Sequence, residues 1–351
     1  MNATSLEWEE VDLAADAEKW DAFQSRALST AFHRAAWLRA AEEASGFHLR
    51  PLVVREGGGW AATFPVFEAR RGPFRICMSP PPGLGIPFLG PSVWVPLGSR
   101  PSHTEGFWRQ LVRSSVERVD QRGRHHLTRI ILSPHFQDLR PFLWSGFRST
   151  PKYRYAIDLR PTPEAILASF QQEARKWIRR ATGELTFREG ALPEALSIVR
   201  GTGRRYEEQG RSYGVTPTFI KDLFESVPSG SLRSFVVERS GTFVTGLMVV
   251  TEDRFVRLWQ GGHRPEAEEP GATEFLFWST MLWAREQGHH TFEILGANTP
   301  QLVRFKLKFN PELRAHYLVE RSTRLANLAM HARHRRLGKS EEVARWTTLD
   351  E

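Results

Sequence analysis

Cysteine is almost missing from this sequence, and its scarcity excludes two kinds of scaffold. Cys77 is the single cysteine among 351 residues, so the chain has no internal disulfide framework. The 12 histidines do not combine with it at the spacing of zinc ligands, and we predict no bound metal. Disulfide-rich mini-domains and zinc modules are therefore excluded as classes.

Long apolar runs are missing as well. No stretch reaches the roughly 18 consecutive apolar residues that indicate a membrane-spanning helix, so none is expected. The segment from Met1 to Glu10 contains three Glu and no Lys or Arg, the opposite of a secretory signal. We therefore expect a cytoplasmic protein.

The overall composition of the chain is that of a folded protein. Hydrophobic residues make up 40% and charged residues 25%, which excludes an intrinsically disordered chain. The length allows two domains of ordinary size. The formal net charge of +8 favours anionic partners such as nucleotides, RNA or acidic cell-envelope precursors.

Two stretches of the chain share one hairpin pattern. Residues 49–62 and residues 232–245 both begin with Leu-Arg, continue with Val-Val and reach a glycine, Gly58 or Gly241, before an aromatic residue. A strand, a tight glycine turn and a second strand are the signature of a β-hairpin. The repetition indicates an internal duplication.

A second matched pair follows the hairpins. Trp108 lies in an apolar segment that ends near Gly123, and Trp278 lies in one that ends at Gly288; a His-His pair and a short strand follow in both. Glycine after the last periodic residue is a common helix stop. We therefore predict two halves of the mixed α/β (α+β) class, each a mainly antiparallel mixed sheet flanked by helices.

The boundary between the halves is predicted near residue 160. Thr162 and Pro163 have the pattern of an N-cap followed by proline at the first helical position. Apolar residues between 166 and 181 then fall on one face of a single predicted helix. The predicted divisions are an N-terminal half (1–159), a C-terminal half (160–323) and a basic C-terminal helix and tail (324–351).

Three stretches of the second half resemble a known family. They are the basic segment 169–181, the Pro-Gly-Ala of residues 270–272 ahead of a Trp-containing helix, and residues 292–310, where Phe-Glu-Ile-Leu-Gly-Ala precedes Phe-Lys-Leu-Lys-Phe-Asn. Together they resemble the FemAB-like transferases, which are built from two GNAT-like halves. That family includes peptidoglycan bridge-forming aminoacyltransferases and a broader group with a BioF2-like acetyltransferase domain.

The resemblance implies a transferase that moves an acyl or aminoacyl group from an activated donor to an amine. It implies acyl-CoA or aminoacyl-tRNA as donor, and a small-molecule amine or a peptidoglycan precursor as acceptor. In acetyl-CoA enzymes, a glycine-rich loop holds the pyrophosphate at a helix N-terminus. Residues 261–272 do not have that glycine spacing, which favours a donor other than coenzyme A.

Two residues of the third stretch are candidate catalytic groups. Lys306 follows the predicted core anchor Phe305 and is expected to stabilise an oxyanion or hold a donor phosphate, the alternative being a plain surface lysine. Glu293, at a strand end, is expected to accept the proton of the amine or bind its ammonium, the alternative being a cap or salt bridge.

The remaining candidates would bind substrate. Like charges four residues apart destabilise an isolated helix by roughly 0.2–0.5 kcal/mol per pair, and an anionic ligand would reverse this effect; a solvated face is the alternative. The cations concerned are Arg175, Lys176, Arg179 and Arg180. The further candidates, expected with them around a cleft between the halves, are Trp37, Arg39, Tyr206, Arg304 and Phe305.

Two other functions stay open. One is an acetyl-CoA-dependent N-acetyltransferase on the same fold. The other is a non-catalytic RNA-binding protein, which the core-like spacing of most aromatic residues argues against. No Ser-His-Asp or Cys-His arrangement stands out, so the predicted reaction is direct attack of the amine on the donor carbonyl, driven by positioning and charge stabilisation.

Overall fold

The computed structural model describes residues 6–121, 123–210, 212–261, 269–296 and 300–329. Contacts between Cα atoms divide these residues into two compact units, one comprising residues 6–151 and 316–329 and the other residues 152–315. Within the described part, no helix has both the length and the apolar character that crossing a membrane requires.

The first unit is a mixed sheet with helices. Its strands are β1 (Glu7–Glu10), β2 (His48–Glu56), β3 (Gly59–Arg71), β4 (Phe74–Ser79), β5 (Ser92–Val93) and β6 (Leu127–Ile131). Its helices are α1 (Ala17–Gln24), a 3₁₀ turn (Ala31–His33), α2 (Ala35–Ser45), α3 (Pro101–Asp120) and α4 (Arg140–Trp144). The β2–β3 hairpin turns at Gly57 and Gly58, whose φ angles of 58° and 83° favour glycine.

The second unit has a similar sheet. Its strands are β7 (Arg148–Asp158), β8 (Thr186–Gly190), β9 (Leu232–Arg239), β10 (Thr242–Glu252), β11 (Phe255–Gly261) and β12 (Thr291–Ile294), and the chain continues into β13 (Glu312–Ser322). Its helices are α5 (Pro163–Ser169), α6 (Gln172–Ala181), α7 (Leu192–Glu208), α8 (Pro217–Ser226), α9 (Ala272–Glu286), α10 (Pro300–Lys306) and a 3₁₀ turn (Leu307–Phe309).

The predicted duplication is confirmed. Hairpin, strand, helix and strand occur as β2-β3-β4-α3-β6 and again as β9-β10-β11-α9-β12. The strand before the helix pairs in parallel with the strand after it in both cases, β4 with β6 and β11 with β12, while the hairpins are antiparallel. The two mixed, mainly antiparallel sheets follow the predicted fold class.

The last strand of each sheet comes from the stretch that follows the other repeat. β7, which follows the first repeat, pairs antiparallel with β12 from Asp158↔Thr291 to Tyr155↔Ile294. β13, which follows the second repeat, pairs with β6 through residues 318–322. The units therefore divide at 151/152 and at 315/316, whereas the sequence placed the boundaries near residues 160 and 323.

The prediction of a single helix across residues 163–181 is wrong in one respect, because the structure has two helices there. Thr162 caps α5 as expected, its Oγ1 accepting a hydrogen bond from the Ala165 amide at 3.3 Å. The chain then becomes extended at Phe170 (ψ 154°) and Gln171 (ψ 149°). The Gln171 amide donates to the Lys308 carbonyl at 2.9 Å, so a tertiary hydrogen bond replaces a helical one.

Helices cover both faces of the second sheet. One core joins α5, α6 and α9 to alternate strand residues, among them Val256, Phe292 and Ile294. On the other face α7 lies against Gly246, where an added Cβ would come 2.7 Å from Ile198 Cδ1. Side chains that alternate with the first set, such as Arg257 and Glu293, therefore point to the α7 face.

Of the predicted C-terminal helix and tail (324–351), the structure describes residues 324–329. Residues 324–329 are helical, and residues 330–351 lie outside the described part of the chain.

Candidate functional site

The strands β11 and β12 separate in the middle of the second sheet. Their parallel pairing ends at Leu258↔Ile294, although β11 continues to Gly261. Opposite β10 the register shifts at the same point, because Leu258 pairs with Val249 and Gln260 with Met248, leaving Trp259 as an extra residue. Such a bulge bends its strand and increases the local twist. The result is an opening between two parallel strand ends.

Lys306 lies at this opening. The residue is 7% exposed at the end of α10, and its Nζ donates hydrogen bonds to the carbonyl oxygens of Leu295 and Gly296, the latter at 2.6 Å. Those two residues directly follow Ile294, the last residue of β12. The structure therefore holds a buried ammonium group at the end of the strand, which differs from a plain surface lysine.

Glu293 lies in a buried ion cluster on the α7 face. The carboxylate is 1% exposed and accepts hydrogen bonds from Arg154 Nε at 3.0 Å and Arg257 Nε at 2.6 Å. Arg257 also pairs with Glu252. Burial raises the pKa of Glu293, but the charges of Arg257 and Arg154 outweigh it and lower the pKa below its usual range. The structure thus shows the salt bridge that the sequence left open as an alternative.

The basic face of α6 has no counterions in the described part of the chain. Arg175 is half-buried, whereas Lys176, Arg179 and Arg180 are exposed, and none forms an ion pair with a described carboxylate. Lys176 and Arg180 lie 5.8 and 5.7 Å from the centre of the Trp177 ring. Several other arginines of this unit do form ion pairs, namely Arg160 with Asp158, Arg188 with Glu238, Arg233 with Glu189 and Arg239 with Glu184.

Helix α6 is tied to the helices around the opening. Lys308 Nζ bonds Glu173 of α6 at 2.9 Å and Glu274 of α9 at 3.1 Å. At the start of α9, a Cβ on Gly271 would come 3.0 Å from the Trp177 carbonyl oxygen. The first turn of α9 is therefore covered by the backbone of α6 and already holds the Glu274 carboxylate, which interacts favourably with the positive end of the helix dipole.

The other predicted substrate-binding residues of this unit are Phe305, Arg304 and Tyr206. Phe305 packs against Phe277 at 5.5 Å, as a core anchor would, and Arg304 is exposed. Tyr206 packs against Tyr213 at 5.1 Å. Residues 262–268 of the segment that lacks the glycine spacing, and residues 297–299 of the third family-like stretch, lie outside the described residues.

One pair near the opening was missed by sequence reasoning. Tyr213 donates a hydrogen bond from its hydroxyl to Gln260 Oε1 at 2.8 Å, and Gln260 is 6% exposed beside the bulge of β11. Burial raises the pKa of Tyr213, so this phenol keeps its proton. A glutamine inside an apolar strand was the signal available, since buried polar side chains require a partner.

Two predicted substrate-binding residues belong to the first unit. Trp37 of α2 is 1% exposed and packs edge-on against Phe32 with ring centres 4.9 Å apart. A side chain this buried offers no surface to a ligand, so Trp37 is a core residue. Arg39, two positions later, is exposed on the same helix. Among the described residues of either unit, no group of three or more His, Cys, Asp and Glu could hold a metal ion.

Comparison with known proteins identifies the second repeat. The family model described as Acetyltransferase (GNAT) domain matches residues 168–307. This stretch is therefore similar to GNAT-type acetyltransferase domains. It contains the α6 basic face, the opening between β11 and β12, and both Glu293 and Lys306. No curated protein matches the sequence significantly.

Solved structures share the fold of about nine tenths of the chain. The crystal structure of FemX has a TM-score of 0.66 at 12% identity, over 89% of this chain and 96% of that one. L-PGS from Bacillus licheniformis has a TM-score of 0.55 at 18% identity, over 90% and 94%. A tandem GNAT protein from the clavulanic acid biosynthesis pathway has a TM-score of 0.51 at 12% identity, over 90% and 98%. These similarities confirm the predicted tandem GNAT fold.

Proposed function

We propose that this protein is an acyltransferase that moves an acyl or aminoacyl group from an activated donor to an amine. The position of Lys306 carries the proposal. Its ammonium is fixed by two main-chain carbonyls at the point where β11 and β12 separate, inside the stretch that matches the GNAT family.

The proposed reaction is a direct acyl transfer. The neutral amine attacks the donor carbonyl carbon, a C–N bond forms, and the carbonyl oxygen gains negative charge. Lys306 stabilises that charge from a position already fixed before the reaction, which is worth most in a site with little water. The oxyanion then collapses, the bond to the donor's leaving group breaks, and the amine's proton leaves to water or to that leaving group.

Glu293 has a supporting role in this proposal. Both of its oxygens accept hydrogen bonds from guanidinium groups, and its pKa is lowered, so it is a poor proton acceptor. We assign it the task of holding Arg154 and Arg257 together beneath the end of β12. The proton of the amine is not assigned to it.

The surroundings of α9 favour a donor other than coenzyme A. Its first turn is covered by the backbone of α6, and the Glu274 carboxylate, paired with Lys308, already lies at the positive end of the helix dipole, where a pyrophosphate would bind. The unpaired cations of α6, in contrast, suit a polyanionic donor, because each Lys or Arg near a phosphate releases a condensed counterion. Aminoacyl-tRNA is therefore the donor that we propose.

The acceptor that we propose is an amine-bearing precursor of the cell envelope, encountered in the cytoplasm. This follows from the resemblance to the FemAB-like transferases. The second candidate is an acetyl-CoA-dependent N-acetyltransferase, which is favoured by the name of the matching family model.

A thermal-shift screen distinguishes these candidates. A ligand that binds only the folded protein stabilises it by about 2.7 kcal/mol at one hundred times its Kd, which raises the melting temperature. We expect a shift with aminoacyl-tRNA and with an amine-bearing UDP-sugar peptide, and none with acetyl-CoA. A shift with acetyl-CoA alone would favour the second candidate. If tRNA raises the melting temperature with and without its amino acid, and a separate assay detects no acyl transfer, both candidates are wrong and the protein is a non-catalytic RNA-binding protein.

A further inference from the structure

The first unit carries an apolar loop that no described element covers. Pro96 and Ser99 close a turn through a hydrogen bond from the Ser99 amide to the Pro96 carbonyl at 3.1 Å. Leu97 lies at the tip of this turn and is 104% exposed, as open to solvent as in an extended chain. Trp94 is 40% exposed at the base of the turn, and Leu28, paired with Val93, is 39% exposed beside it.

The cations around this loop have no counterions among the described residues. The Arg26 guanidinium lies 5.3 Å from the centre of the Trp94 ring, and Arg100 follows the turn directly. Neither pairs with a described carboxylate. The sequence contains no Asp or Glu from residue 22 to 41 or from residue 69 to 104, so both segments that build the loop and its surroundings bring positive charge only.

One carboxylate does lie close by. Glu56 lines the groove next to the loop, together with Trp60, His103 and Phe107. It is half-buried at the end of β2 rather than at the tip of the turn. The outermost part of the surface is therefore apolar and positively charged.

An exposed leucine at a turn tip and an exposed tryptophan at its base suit one kind of surface. Apolar side chains held away from the protein body lose water when they enter the boundary between lipid headgroups and acyl chains. Tryptophan is enriched at that boundary, because its ring is apolar and its N–H is polar. Arginines beside them are attracted to anionic headgroups. We infer that residues 94–100, with Arg26, form a docking surface for an anionic lipid bilayer.

Other occupants fit this surface less well. A second copy of the chain placed by a two-fold axis would bring Arg26 and Arg100 of one copy close to those of the other, and like charges would repel. A nucleic acid would pair with the arginines, but its charged backbone offers no apolar surface for Leu97. The bilayer satisfies both the charge and the apolar tip.

Vesicle co-sedimentation of the full chain tests the inference. We expect the protein to pellet with vesicles of phosphatidylcholine mixed with phosphatidylglycerol, and to stay in solution with phosphatidylcholine alone. A Trp94→Ala, Leu97→Ala double variant should bind at least about tenfold more weakly, because most of the inserted apolar surface is removed. Leu313→Ala is the matched control, since Leu313 is 53% exposed elsewhere and should not affect binding.

A second variant tests the contribution of the arginines of this surface. Arg26→Gln with Arg100→Gln should weaken binding to the mixed vesicles and reduce its dependence on salt. Equal pelleting of the native chain and the Trp94→Ala, Leu97→Ala variant, provided circular dichroism shows both folded, would overturn the inference. So would loss of a dimer in the variant, which would identify the surface as a self-interface. No donor or acceptor is present, so failure here leaves the transfer reaction untouched.

Discussion

Lys306 shows how burial decides what a residue can do. An ammonium group is unstable in an apolar environment unless hydrogen bonds replace its water, and the Leu295 and Gly296 carbonyls supply them. The same bonds fix the loop after β12. Lys306 therefore has a structural role beside the electrostatic role that we propose, and its removal should disturb the fold as well as the proposed reaction.

The first prediction tests the structural role of Lys306. Lys306→Met keeps the apolar stem but leaves two carbonyls without their donor, and should lower the free energy of unfolding by about 1–3 kcal/mol. Urea unfolding measures the change. Lys221→Met is the control, because Lys221 is 58% exposed and should change stability by less than about 0.5 kcal/mol. Equal stability of the Lys306 variant and the native chain would remove the structural role.

Glu293 makes a prediction about acid stability. Its pKa is lower in the folded chain than its ordinary value of 4.5, so the stabilisation it provides is fully present above that value and is lost as the pH falls through the lower, folded pKa. Glu293→Gln leaves Arg154 and Arg257 buried without their shared anion and should lower the unfolding free energy at neutral pH by about 3 kcal/mol. The variant should also lose part of the native acid dependence below pH 4.5.

Unfolding curves from neutral to acid pH test this. The matched control is Asp158→Asn, since the Asp158–Arg160 pair is exposed and its removal should have little effect. A Glu293 variant as stable as the native chain would show that the buried cluster contributes nothing. Sequence reasoning could name Glu293 but not its partner Arg154, because that contact joins residues 139 positions apart.

Among the elements, α6 has the clearest sequence signal. Its buried face, with Ala174, Ile178 and Ala181, follows the helical spacing read from the sequence. The break at Phe170 and Gln171 could not be predicted, since it depends on a hydrogen bond to Lys308, far along the chain. Apolar periodicity predicts which side of a helix is buried, but it does not predict where a tertiary contact interrupts the helix.

The cations of α6 give the next prediction. Arg179→Gln with Arg180→Gln should weaken tRNA binding and reduce the slope of log affinity against log salt by about 2, because each phosphate contact contributes roughly 1. The variant should be no less stable, since repulsion within the helix falls. Fluorescence anisotropy at several salt concentrations measures the slope. Arg160→Gln, at an arginine already paired, serves as control. An unchanged slope would mean that α6 does not contact the ligand.

At the scale of the whole molecule, the duplication could be read from the sequence and the strand exchange could not. The hairpins repeat in residue type, so their equivalence is visible. The alternation of residues 153–159 predicts a strand but is the same whichever sheet that strand joins. The boundary near 160 followed from adjacency in the chain, whereas β7 pairs with β12 and β13 with β6.

The exchange predicts that the first half does not fold by itself. A fragment of residues 1–159 lacks residues 318–322, which pair with β6, and leaves that strand as an open edge. We expect it to unfold without a cooperative transition, followed by circular dichroism in urea. Adding a peptide of residues 312–323 should restore part of the cooperativity. A fragment that unfolds with the midpoint of the intact chain would contradict the importance of the exchanged strand.

The transfer reaction itself is tested most directly by a single-turnover assay. Labelled aminoacyl-tRNA and, separately, labelled acetyl-CoA are mixed with the protein and an amine-bearing UDP-sugar peptide, and the amide product is identified by mass spectrometry. We predict product from aminoacyl-tRNA with the native chain, formed about 100-fold more slowly by Lys306→Met. Product formed at the native rate by that variant, or no amide from any donor, would contradict acyl transfer at the opening between β11 and β12.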